Sequence, residues 1–154
     1  MAKQEFTPLL NEGFKEIGRW ELDKLFLDPF TTKEQRKKLI DRLQVYLTEV
    51  IAIGLEAELW IDGSFTTHKP EPEDIDLVIL FKRSEVDGLN GKKAELFQAL
   101  IMDREIVKAN YCVDVFFIDK DDSLEIAKWA NTFGYDSRKI ETKGIFKIML
   151  QPNV

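Results

Sequence analysis

A chain of 154 residues with 44% hydrophobic and 11% aromatic content suits one domain, which at this size buries roughly two-thirds of its unfolded surface without staples. A single cysteine, Cys112, excludes a disulfide framework and a cysteine-rich zinc site, and a single histidine, His68, excludes Ser-His-Asp or Cys-His chemistry that does not use it. The net charge of −6 argues against a broad basic surface for duplex nucleic acid, while leaving room for a local basic patch that meets a phosphate or an RNA end.

Met1 to Phe6 lack the apolar core of a signal peptide, and no stretch approaches the ~20 apolar residues of a membrane span, so a cytoplasmic protein without a membrane partner is expected. The whole chain, 1–154, reads as one domain with residues 1–30 as an N-terminal extension packed on it. In that extension Phe14, Ile17, Leu22, Leu25 and Phe26 suggest one or two short helical turns. Thr32 and Gln35 have the spacing of a capping box and open a helix from about Lys33 to Ile53. Its Leu39, Leu43, Tyr46, Leu47, Val50 and Ile51 form one buried stripe, Lys33 to Lys38 supply a charged outer face, and Gly54 ends it.

Strands follow near Glu56 to Ile61 and Ile75 to Lys82, then turn residues from Glu85 to Asn90. Gly91 to about Lys108 reads as a helix with Ala94, Phe97, Leu100 and Ile101 inward. A strand from Cys112 to Ile118 comes next, then a short helix from Asp122 through Trp129 and Phe133, closed by Gly134, and a last strand from Lys143 to Leu150. Trp20, Trp60 and Trp129 are read as core residues, Cys112 as a small packing residue and His68 as part of a solvated loop. The order of elements predicts an α+β fold, a short mixed β-sheet flanked by helices.

The chemistry concentrates at the strand ends. Ile61-Asp62-Gly63-Ser64 closes one apolar run, and Asp74-Ile75-Asp76-Leu77 opens the next. Alternate strand residues share a face, so Asp74 and Asp76 project together while Ile75, Leu77 and Ile79 turn the other way. Two carboxylates on one face form a metal site or repel each other. Asp114 stands in the middle of a third apolar run, where an unpaired carboxylate costs several kcal/mol to desolvate. If its strand lies beside that of Asp76, three aspartates converge. The glycine of Gly63-Ser64 lets a backbone approach phosphate closely, and the serine hydroxyl with the following amides can donate to phosphate oxygens. Lys69, Arg138, Lys139 and Lys143 are candidates for phosphate or acceptor contact.

This succession of Gly-Ser, spacer, Asp-x-Asp and a third acidic strand resembles the nucleotidyltransferase superfamily typified by DNA polymerase beta. Trp60 to Phe65, Pro72 to Asp76 and Lys143-Gly144-Ile145 are similar, more narrowly, to a bacterial family of small single-domain nucleotidyltransferase-like proteins. The resemblance implies a minimal nucleotidyltransferase fold and a site in which Asp74, Asp76 and Asp114 are both catalytic and metal-binding. The cofactor would be Mg2+, two ions, with Mn2+ as a substitute, and Gly63 and Ser64 would bind the nucleotide. Asp74 and Asp76 would hold both ions, and Asp114 the one that activates the nucleophile. The implied reaction moves a nucleoside monophosphate from a nucleoside triphosphate to a hydroxyl of a protein, RNA or small-molecule acceptor. The implied setting is a toxin-antitoxin or phage-defence system, with a protein partner completing the site of so short a chain. The alternative is an inactive module of the same fold that binds a nucleotide or a partner. A restriction-type nuclease fits poorly, because Asp114-Val115 is followed by Phe116 instead of lysine. A calcium loop at Asp119 to Ser123 lacks its turn glycine and its terminal glutamate.

Overall fold

The structure is a computed structural model that describes residues 6–136 and 141–152. Five strands form one mixed sheet: β1 (Phe14–Glu16), β2 (Ala57–Asp62), β3 (Ile75–Phe81), β4 (Val113–Asp119) and β5 (Ile145–Leu150), in the order β1-β5-β2-β3-β4. The β2–β3 and β2–β5 pairs are antiparallel, and the β3–β4 and β1–β5 pairs are parallel. The helices are α1 (Leu22–Phe26), α2 (Glu34–Ile51), α3 (Arg83–Asp87), α4 (Gly91–Phe97), α5 (Arg104–Tyr111) and α6 (Ser123–Phe133). The fold is α+β, as the order of elements predicts.

Strand alternation divides the sheet into two unlike faces. On one, Leu59 and Ile61 of β2, Ile75, Leu77, Ile79 and Phe81 of β3, Val113 and Val115 of β4 and Ile148 of β5 pack with Leu39, Leu43, Tyr46, Leu47 and Val50 of α2. On the other, Trp60, Val78, Leu80, Phe116 and Ile118 meet Ile126, Trp129 and Phe133 of α6. Helix α2 ends where its glycine requires: Gly54 has φ +87°, a conformation that costs a residue with a Cβ, and its N–H donates to Ile51.

Several local expectations are corrected. Phe14 to Glu16 form an edge strand, and helical structure begins only with a single 3₁₀ turn at Arg19–Glu21 that leads into α1. No capping box forms at Thr32: Lys33 holds the cap position without a side-chain bond, and Gln35 donates to the Pro72 carbonyl instead. The expected helix from Gly91 to Lys108 is broken by a π-helical turn at Gln98–Met102, where the Asp103 amide reaches back to the Gln98 carbonyl. The Leu100 carbonyl in that turn accepts from the buried Tyr46 hydroxyl. Trp20 is 85% exposed and not a core residue.

The stretch from Lys33 to Lys38 is not wholly an outer face, because Arg36 is completely buried. Its guanidinium donates to four carbonyls, those of Phe26, Phe65, Thr67 and Lys69, and stacks 3.6 Å from the Phe30 ring centre. Burial lowers its pKa to about 10, so it stays charged at neutral pH with carbonyl dipoles in place of a carboxylate partner. This residue ties α2 to the loop that follows Gly63.

Candidate functional site

Register assembles the acids. In the β2–β3 ladder Asp62 lies opposite Asp76, and in the β3–β4 ladder Asp76 lies opposite Asp114. Cross-strand partners project to the same side, so Asp62, Asp76 and Asp114 form one row across three strands. Their parity is that of Trp60, Val78 and Phe116, the next row, which carries the apolar contact with α6. The acids therefore stand on the α6 face, one row beyond its apolar patch. Asp74, two residues before Asp76 and just outside β3, extends the cluster.

Cations surround this row. Lys143 Nζ lies 3.0 Å from Asp62 Oδ1, Arg104 Nη2 2.7 Å from Asp114 Oδ1, and Lys108 Nζ 3.4 Å from Asp74 Oδ2. Arg104 and Lys108 are four residues apart on α5 and so share a face of that helix. The Arg104 guanidinium also lies 4.1 Å from the Phe116 ring centre. Among the described residues, Asp76 is the one acid of the four without a lysine or arginine at ion-pair distance.

Burial dominates the proton affinity of the two inner acids. The Asp76 carboxyl is pushed up to about 6, first by desolvation and then by the charges of Asp74 and Asp114, with Lys143 and Lys108 opposing. The Asp62 carboxyl is pushed up to about 7, again by desolvation first; the Lys143 ammonium opposes this and the Asp76 charge adds to it. Asp62 was absent from the sequence-derived site. The available signal was the one that marked Asp114, a carboxylate inside an apolar run.

Gly63 is tied to the row directly. It adopts φ +84°, and a Cβ built on it would stand 2.7 Å from Asp76 Oδ2, so glycine here lets the Asp76 carboxylate sit against the turn. Ser64 opens a 3₁₀ turn, Ser64–Thr66, and is half-buried. The segment after it is fixed by Arg36 and by the Thr67 hydroxyl, which donates to the Ser64 carbonyl.

The other sequence candidates divide. Lys143 is buried against Asp62 and the Gly63 carbonyl, so its contacts are internal. The Lys69 carbonyl belongs to the Arg36 clamp. Arg138 and Lys139 lie outside the described residues. His68 is exposed, and Cys112 is half-buried at the left-handed end of α5 with Arg42 at 3.7 Å from its sulfur, packed against the core as a small apolar residue.

Carboxylate oxygen is the donor magnesium prefers, and Asp74, Asp76 and Asp114 supply it from adjoining positions, so the donor chemistry fits that ion. The side-chain arrangement is less direct. Among the described residues no three His, Cys, Asp or Glu side chains form a group that could hold a metal ion, and Arg104 and Lys108 engage oxygens of Asp114 and Asp74. A metal ion there would share the Asp114 and Asp74 carboxylates with the two α5 cations.

The model of a family of unknown function, DUF6932, matches residues 5–149, and the chain belongs to that family. No curated protein and no solved structure matches the chain. No helix among the described residues is long and apolar enough to cross a membrane.

Proposed function

We propose that this member of the family is a magnesium-dependent nucleotidyltransferase of minimal polymerase beta-like fold, acting in the cytoplasm on a hydroxyl of a protein, RNA or small-molecule acceptor. The observation that carries the reading is the row of Asp62, Asp76 and Asp114 across β2, β3 and β4, with Gly63 where a Cβ would collide with the Asp76 carboxylate. Three adjoining strands each carry an acid at this position.

Asp74, Asp76 and Asp114 would hold the two ions, which when bound neutralise the triphosphate and lower the cost of deprotonating the attacking hydroxyl. The protein's own groups have separate tasks. Gly63 keeps the turn low against Asp76, so that a phosphate meets backbone and the Ser64 hydroxyl instead of a Cβ. Asp114, at the beginning of the edge strand β4, would receive the proton of the acceptor hydroxyl at a carboxylate oxygen. The acceptor would approach from that edge, where no further strand pairs among the described residues. A protein partner of a toxin-antitoxin or phage-defence system would complete the site.

A second reading has its own observation. Arg104 and Lys108 neutralise Asp114 and Asp74 from within the chain, as expected of a module that binds a nucleotide or a partner without catalysis. Incubation with each of four labelled nucleoside triphosphates, magnesium or manganese and host-cell lysate separates the two. The enzyme labels a discrete acceptor and Asp76→Ala does not. Binding of a triphosphate without any labelled product supports the inactive module.

A further inference from the structure

Lys143 is held at both its ends. Its backbone N–H donates to the Gly134 carbonyl at the end of α6, and the next residue, Gly144, donates to the Leu10 carbonyl. From this anchor the side chain, 8% exposed as a residue, reaches Asp62 Oδ1 at 3.0 Å and the Gly63 carbonyl at 2.7 Å. That same carbonyl accepts from the Thr66 hydroxyl at 3.1 Å and the Thr66 N–H at 3.3 Å. Three donors thus converge on one oxygen.

A trans peptide is planar, with its N–H antiparallel to its C=O. Fixing the Gly63 carbonyl toward Lys143 therefore fixes the Ser64 N–H toward the opposite side of the peptide. Gly63, at φ +84° and ψ −168°, lacks the steric restraint a side chain would impose on that peptide. The ammonium, at the shortest of the three distances, supplies restraint together with the two Thr66 donors. Asp62 neutralises the ammonium, which could not otherwise be buried at this depth without a large desolvation cost.

We propose that Lys143 is a positioning residue for the Gly63–Ser64 turn: paired with Asp62, it sets through the Gly63 carbonyl the direction in which Ser64 is offered to a phosphate group. Its charge is spent inside the protein and does not touch the ligand. The role rests on the nucleotide-site reading above.

The test uses the full chain carrying Asp62→Asn together with Lys143→Met, which leaves no lone buried charge and keeps both side chains near their original size. Two quantities are compared with wild type: amide hydrogen exchange across residues 62–67, and calorimetric binding of each of four nucleoside triphosphates with magnesium. A hydrogen bond from a charged group accounts for about ten- to a hundredfold in an equilibrium, so both exchange and dissociation constant should rise by at least about tenfold. Exchange in β3 and β4 should not change. Unaltered exchange in the turn overturns the proposal, and so does faster exchange with wild-type triphosphate affinity. A wild type that binds none of the four overturns the nucleotide-site reading and the phosphate part of the role together. The exchange measurement then still decides whether Lys143 sets the turn.

Discussion

The two faces of the sheet are built from the same strands and obey opposite rules. On the α2 face the row of Ile61, Leu77 and Val115 is apolar and fully covered. On the α6 face the apolar rows of Trp60–Val78–Phe116 give way after one step to Asp62–Asp76–Asp114, where burial continues and cations replace hydrophobes. Where that face loses apolar cover while still withholding solvent, the proton affinity of Asp62 and Asp76 rises. The first face holds the fold together, and the second carries a charge arrangement that stability alone does not call for.

The largest effect should come from the covered face. Leu77→Ala removes a fully buried side chain, and such a change typically costs about 2 to 5 kcal/mol, or roughly 4 to 20 °C in melting midpoint for a domain of this size. Scanning calorimetry checks it. A loss below about 1 kcal/mol would mean that this face is not a close-packed core.

On the acid face a single charge deletion should be almost as costly but dependent on pH. Lys143→Met leaves Asp62 buried without its partner, which should cost about 3 kcal/mol at pH 8. At pH 5 the cost should shrink, because Asp62, already pushed up to about 7, takes a proton and stops being a charge. The sign in the wild type follows from the same shift. Acids with folded-state pKa values raised to about 6 and about 7 contribute stability at pH below 4 that is lost as pH rises through those values. Urea unfolding in a chelator should therefore show the stability contributed by these acids falling between about pH 4 and 7, and Asp62→Asn and Asp76→Asn should each flatten that fall.

A smaller effect of opposite sign is expected for Asp76→Asn alone. Removing a carboxylate that burial and its neighbours disfavour should raise the metal-free midpoint at pH 7.5 by roughly 2 to 6 °C. A lowered midpoint would show that Asp76 is compensated more fully than its neighbours suggest. Least affected should be Trp20→Ser at the far edge of the sheet, where an exposed side chain changes stability by less than about 0.5 kcal/mol.

What the amino-acid pattern reveals differs between these regions for physical reasons. The stripe of α2 and the alternation in β2, β3 and β4 are legible because burial on one face repeats at 3.6 or 2 residues. Strand β1 is not: its three residues are all exposed, so no alternation marks them. The break at Gln98–Met102 is equally silent, since an extra residue in a helical turn preserves the apolar spacing nearby. Arg36 looks like surface because its partners are backbone carbonyls from distant segments, and a carbonyl has no letter in the sequence. In the site, Asp74, Asp76 and Asp114 stand out as acids among β-branched and aromatic residues. Asp62 follows the same pattern and was masked by the Gly-Ser beside it. The α5 cations could be read as a basic pair four residues apart, but their targets depend on the β3–β4 register, which spacing alone does not provide.

Whether Asp74, Asp76 and Asp114 form a shared metal and nucleotide site can be read by melting the protein with magnesium and each nucleoside triphosphate, with no need to know the acceptor. A ligand at about a hundred times its dissociation constant adds roughly 2.7 kcal/mol to the native state, so the wild-type midpoint should rise by roughly 5 to 10 °C with the preferred triphosphate. The double variant Asp74→Asn/Asp76→Asn should start from a higher metal-free midpoint and show no such rise. A wild type unmoved by every triphosphate and metal, beside a double variant no more stable than it, would show that the aspartates form no shared site.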